Sequence, residues 1–191
     1  AIINEGVIDN FGAIRNDRMI DNFGDIFNDG RFTTLGEIYN DGYFSNNAVL
    51  YIANTENGSI GFVNYENGVL ANQGDIKISN TGEFSDGIKS WGHLKSVGLI
   101  TIDTMNNDAA GISYVSNLPF DNYGTIDIQN NGGYGIIIGD RYDSSNSPSF
   151  SSINHPDAKI FISGSGTGFA LFENAELTNN GWIMVDCLTD G

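Results

Sequence analysis

From residue 4 the chain repeats every six residues: an asparagine, a glycine two places on, and an apolar residue two places after that, as in NEGVID, NFGAIR and NFGDIF. Eight hexads run without insertion from Asn4 to Tyr51, and their fifth positions are Ile8, Ile14, Ile20, Ile26, Phe32, Ile38, Phe44 and Leu50. A period of six matches neither the 3.6-residue stripe of an amphipathic helix nor a heptad. It suits a short strand plus a tight turn, repeated along a solenoid.

Beyond Tyr51 the hexads dissolve, but a second regularity replaces them. Triplets with two inward residues around one outward residue occur at Leu50-Tyr51-Ile52, Ile76-Lys77-Ile78, Ile100-Thr101-Ile102, Ile126-Asp127-Ile128, Ile160-Phe161-Ile162 and Ile183-Met184-Val185, spaced by 26, 24, 26, 34 and 23 residues. Each long coil carries a second apolar strand, as at Gly58 to Phe62, Asp86 to Ile88, Ala110 to Tyr114, Gly135 to Ile138 and Gly168 to Phe172. Stepping back by 24 from Leu50 reaches Ile26 and then Ile2, so four hexads are expected to fill one coil. The expected fold is all-β: a single parallel β-helix of about eight coils with ~24 residues in each. One solenoid should cover 1–191, with strict hexads over 1–51, longer coils over 52–191, and a projecting Ser-, Asp- and Pro-rich loop at 139–159.

Composition agrees with a turn-rich, packed chain. Hydrophobic residues make up 40%, enough to bury a core, and Asn and Gly occur 25 times each against three prolines, which favours tight corners. The net charge of −16 repels phosphate backbones and anionic lipid, so nucleic acid is not an expected partner. No run of eighteen apolar residues exists to form a membrane-spanning helix. Cys187 stands alone, which excludes an intrachain disulfide and leaves a free thiol or an intermolecular bridge. The sequence opens inside the repeat at Ala1-Ile2-Ile3-Asn4, without an initiator methionine; a cleaved leader, and hence export, or a piece of a longer array would each explain that.

Two stretches, NQGDIKISNTGEFSDGIKS (Asn72 to Ser90) and NYGTIDIQNNGGYGIIIGD (Asn122 to Asp140), carry N-x-G-x-I corners followed by x-G-I strands. In this they resemble the β-helical repeats of microbial surface proteins, namely autotransporter passengers and filamentous-haemagglutinin-like exoproteins. Sheath and surface-layer proteins are similar in character. The resemblance implies an exported, extracellular, elongated scaffold or adhesin without a catalytic site.

Candidate sites are few. Asp127, Asp140 and Asp143 are carboxylates of the kind a glycoside-cleaving β-helix displays. Asp140, Asp143 and Asn146 offer a weak calcium-type oxygen set, beside diffuse divalent-cation binding to the acidic surface; no other cofactor is expected. His93, His155 and Cys187 show no metal-ligand or nucleophile–base spacing. Trp91, Tyr142, Tyr39, Tyr43 and Tyr51 are aromatic candidates for stacking on sugars. Asn57-Gly58-Ser59 is a lone glycosylation pattern.

The coil at each end offers an open hydrophobic ladder with little sequence for a cap. The leading expectation is therefore a non-enzymatic structural protein that assembles with itself, head to tail, into a sheath, surface layer or filament. Its interface would comprise Ile2, Ile3, Asn4, Gly6, Trp182, Ile183, Met184, Val185 and Cys187. The alternatives are a glycan-binding adhesin or fibre stalk using Trp91 and Tyr142 beside the 139–159 loop, and a polysaccharide-degrading enzyme.

Overall fold

In the hexad region every fifth residue is apolar and the first is asparagine in every hexad but one, where it is Thr34, so each hexad makes one short strand and one corner. A computed structural model describes residues 1–54, 57–80, 85–104, 109–140, 150–172 and 174–187. Among these are 22 strands and no helix, and every strand pairing is parallel. Two long strands, Thr125–Ile138 and Lys159–Leu171, each bend across a corner and serve two faces. The result is a parallel β-helix with three faces and eight coils.

Face A stacks Ile2–Asn4, Ile20–Asn22, Ile38–Asn40, Ile60–Asn64, Asp86–Ser90, Ala110–Tyr114 and the later arms of the two long strands. Face B begins with Val7–Asn10, Asp25–Asn28, Tyr43–Asn46 and Val69–Asn72, and ends with Ala175–Asn179. Face C runs from Ala13–Asn16 through Arg31–Thr34, Val49–Asn54, Asp75–Asn80 and Leu99–Thr104 to Trp182–Cys187.

Three hexads, not four, complete a coil in the first part of the chain. Ile2 pairs with Ile20 and Ile20 with Ile38, while Ile14 pairs with Phe32 and Phe32 with Leu50, all steps of 18. A hexad ladder is apolar at steps of 18 and 24 alike, so the sequence period could not distinguish a three-sided from a four-sided coil. Further along, the expected spacings hold: Leu50, Ile76, Ile100, Ile126, Ile160 and Ile183 form one continuous row on face C.

The coils widen because face C lengthens. Where the early coils place Asn16 and Thr34, the later ones place Ile52, Ile78, Ile102, Ile128, Ile162 and Val185, a second inward rank. Face A makes room for that rank with glycine. A Cβ added at Gly87 would lie 2.6 Å from Ile102 Cγ2, and one at Gly111 2.6 Å from Ile128 Cγ2. The core is consequently a set of aliphatic ladders, with Phe44 tilted against Phe32 at 6.0 Å and edge to face with Phe62 at 5.3 Å where the cross-section changes. The insertion expected at 139–159 is narrower: Phe150–Asn154 is a strand of face B, paired with Phe120–Asn122 and Ala175–Asn179.

Buried amides hold the corners. Asn4, Asn22, Asn40 and Asn64 stack with Nδ2 to Oδ1 distances of 2.7, 2.7 and 2.8 Å, and Asn10, Asn28, Asn46 and Asn72 with 2.7, 2.7 and 2.9 Å. Each also serves the backbone: Asn10 Oδ1 accepts from Gly12 N and Asn10 Nδ2 donates to Arg31 O. Polar groups that the turns would leave unpaired are thereby satisfied. Where the first ladder reaches Tyr114, the phenol takes over, donating to Leu118 O at 2.6 Å and lying 3.2 Å from Gly92 O. Burial pushes its pKa up to about 12, opposed by a hydrogen bond with Ser116.

Candidate functional site

The corner between faces A and B sets one residue from each coil in a line, because each donates its N–H to the corner carbonyl one coil earlier. Phe23 donates to Asn4 O, Asp41 to Asn22 O, Tyr65 to Asn40 O, Trp91 to Asn64 O and Val115 to Ser90 O, all at 2.8 Å. Tyr39 stands beside this line, on the outward side of face A between Asp21 and Val63. Tyr39 and Tyr65 lie 6.1 Å apart with planes 17° from parallel; Tyr65 and Trp91 lie 6.1 Å apart at 12°. Lys89 Nζ sits 4.9 Å from the Trp91 ring centre, in cation–π range.

Together with Phe23, Asp21, Asp41, Glu66 and Asn67, these rings line an open groove of about 630 Å³. Phe23 is 59% and Tyr65 41% exposed, so water now covers apolar surface there. The wall is held from behind: Tyr39 Oη donates to Glu37 Oε2 at 2.6 Å, and Glu37 Oε1 accepts from Ile60 N at 2.9 Å. Burial, then the hydrogen bond to Glu37 and its charge, keep the Tyr39 phenol protonated far above the usual tyrosine range. On the rim, Asn67 Nδ2 donates to Asp41 Oδ1 at 3.2 Å. Chemically the groove offers apolar ring surface edged with carboxylate and amide groups, suited to a ligand with C–H faces and hydrogen-bonding hydroxyl or amino groups.

Of the aromatic candidates, Trp91 and Tyr39 meet here, while Tyr43 lies on face B and Tyr51 on face C. Tyr65 is the member that sequence reasoning missed, although it stands 26 residues before Trp91, a coil spacing already read from the isoleucines; Tyr39 lies two places before Asp41, the member of the line in its own coil. Tyr142, Asp143 and Asn146 lie outside the described residues. Asp127 is on face C and Asp140 follows face A one coil later, so the two carboxylates do not form a pair. Among the described residues no group of three or more His, Cys, Asp or Glu side chains is arranged to hold a metal ion. In the glycosylation pattern Asn57 is exposed, but Ser59 is buried with its Oγ 3.4 Å from that of Ser85.

The two histidines, unrelated in sequence, converge on face B and its corner. His155 Nε2 lies 3.0 Å from Asp121 Oδ1 and His93 Nε2 3.8 Å from Asp121 Oδ2, and the His155 ring stacks on Tyr123 at 3.7 Å. The His93 Nε2 atom is buried without a hydrogen-bond partner. Cys187 is remote from them, on face C of the last coil.

The expected interface residues fall on two different faces. Ile2, Ile3, Asn4 and Gly6 belong to face A and its corner in the first coil, whereas Trp182, Ile183, Met184, Val185 and Cys187 belong to face C of the last. Ile2, Ile183 and Val185 continue inward ladders; Ile3, Trp182 and Met184 lie on the outward side, 67%, 73% and 57% exposed. Comparison with family models, with curated proteins and with solved structures finds no match.

Proposed function

We propose that this chain is a non-catalytic recognition rod of an exported surface protein, and that the groove of Phe23, Tyr39, Tyr65 and Trp91 takes a sugar chain. The observation that carries this is the row of three parallel rings, Tyr39, Tyr65 and Trp91, in successive coils, extended by Phe23 in the coil before and edged by carboxylates. Pyranose rings present C–H faces to aromatic surface and hydroxyls to carboxylate and amide groups, so one lining serves both halves of a sugar. A pyranose in an extended chain also advances by nearly the spacing of one coil, about 4.8 Å. The test is retention on immobilised neutral, amino and acidic polysaccharides. Wild-type protein should be retarded by at least one class, and Trp91→Ala and Tyr65→Ala should pass through with their fold intact by circular dichroism. No retention on any class, or release of shortened sugars from the bound chain, overturns the proposal.

A second reading, end-to-end assembly, draws on the terminal coils. Ile2, Ile8 and Ile14 are only partly buried, whereas Ile20, Ile26 and Phe32 beneath them are fully buried; Phe169, Leu177 and Ile183 are the partly buried counterparts in the last coil. A copy stacked in register would set Ile14 on Ile183, Ile8 on Leu177 and Ile2 on Phe169. Sedimentation and negative-stain imaging should then show filaments that Ile14→Lys abolishes, while Ile3→Lys, on an outward position, leaves them. Wild-type monomers at micromolar concentration overturn it.

A further inference from the structure

The corner line does not stop at Trp91. Val115 follows it and then Gly139, whose N–H donates to Tyr114 O at 2.9 Å, so side-chain bulk shrinks from an indole to an isopropyl to nothing. The groove accordingly continues past the indole. One depression of about 260 Å³ is lined by Glu66, Trp91, Val115 and Ser116, and another of about 160 Å³ by Asp86, Trp91, Ser113 and Asp140. Trp91 borders all three hollows, Glu66 is shared by the first and third and Val115 by the second and third, so they lie in series along one trough-like stretch of the surface. From Phe23 in the second coil to Gly139 in the seventh it runs five coil steps, about 24 Å along the axis.

Charge narrows what such a trough accepts. Asp21, Asp41, Glu66, Asp86 and Asp140 line it, against the single ammonium of Lys89, which already lies over the Trp91 ring. Clefts lined by one sign of charge concentrate ligands of the other. Resting on the sugar-binding reading above, we infer that the trough binds a linear amino-sugar polymer in its free-amine form, laid along the solenoid axis with Trp91 near its middle. Sugar rings meet Phe23, Tyr39, Tyr65 and Trp91, and their ammonium groups, one to a ring, meet carboxylates that recur from coil to coil. Acidic polysaccharides are repelled by the same groups, and fully acetylated chains lose the charge contribution while keeping the ring contacts.

The experiment compares β-linked glucosamine oligomers with their N-acetylated counterparts at chain lengths from two to six, by titration calorimetry at low and high salt. Glucosamine chains should bind at least about tenfold more tightly than acetylated ones at low salt, with the gap closing as salt screens it. Affinity should rise with length until the chain extends on both sides of Trp91. Asp41→Asn with Glu66→Gln should erase the preference for the amine, weakening the glucosamine series far more than the acetylated one; Trp91→Ala should weaken both series alike. Equal affinity for the two series overturns the inference while sparing the sugar-binding reading. Failure of both series, with no other polysaccharide retained, overturns that reading as well. Oligolysine of equal charge binding as tightly as the glucosamine hexamer, and unaffected by Trp91→Ala, identifies an unspecific acidic surface and overturns the inference.

Discussion

Asn28 Nδ2 donates to Asn46 Oδ1 at 2.7 Å across one coil, and both residues are fully buried. The same nitrogen reaches Val49 O at 3.0 Å, and Asn28 Oδ1 accepts from Asn10. Replacing Asn28 by Ala strands these groups away from water, so Asn28→Ala should cost about 3 kcal/mol in urea unfolding. Asn47→Ala removes an exposed bond to Asp29 instead and should change stability by less than about 0.5 kcal/mol.

Gly6 and Gly24 hold equivalent places in successive coils, yet their surroundings differ. A Cβ on Gly24 would lie 2.1 Å from Gly6 O, while one on Gly6 would meet nothing within 4 Å. Gly24→Ala should therefore destabilise by about 2 kcal/mol or more, and Gly6→Ala should be neutral or slightly stabilising. Thermal unfolding of the pair checks the difference.

Coil length can be tested by deletion. Removing 22–39, which is 18 residues, joins Asp21 to Asn40 and leaves every remaining hexad on its own face. Removing 16–39, which is 24 residues, moves Phe44 from face B to face A and puts the first part out of phase with the wider coils. The shorter deletion should unfold cooperatively with native-like far-ultraviolet dichroism. The longer one should lose cooperativity in its first part.

Tyr114 gives the fold an alkaline limit. In the unfolded chain its phenol ionises near 10.0, but in the fold only near 12, so the unfolded state releases the proton first. The stabilisation is fully present below pH 10 and is lost as pH climbs from 10 to 12, amounting to about 2–3 kcal/mol. Denaturant midpoints measured from pH 8 to 11.5 should fall more steeply for wild type than for Tyr114→Phe, which is less stable at every pH because Gly92 O and Leu118 O lose their donor.

The architecture was legible in the sequence to the extent that side-chain periodicity reports strand position. Alternation around Tyr51, Lys77, Thr101 and Asp127 marks face C without ambiguity, and its spacings match the observed pairing. The number of hexads per coil was not legible, since Ile26 and Phe32 are both suitable neighbours for an apolar ladder and only backbone closure selects between them. The groove was half legible. Trp91 and Tyr39 are visible as large aromatics, but placing Tyr65 beside them requires the coil register, which returns Tyr65 to the corner of Trp91 after 26 residues and to that of Asp41 after 24. Convergence of His93 and His155 on Asp121 was hidden by the wide seventh coil, which lengthens the step from Asn122 to Asn154 to 32 residues.

The asparagine ladders have one more property. From Asn4 to Asn64, from Asn10 to Asn72 and from Asn122 to Asn179, each Nδ2 points to the Oδ1 of the following coil, never of the preceding one. Stacked amides so oriented add their dipoles along the axis, making the rod a vector: its two directions are electrically distinct, although its sides look repetitive. A chain laid in the trough would run parallel to that asymmetry, so a polymer with a reducing and a non-reducing end should prefer one orientation over its reverse.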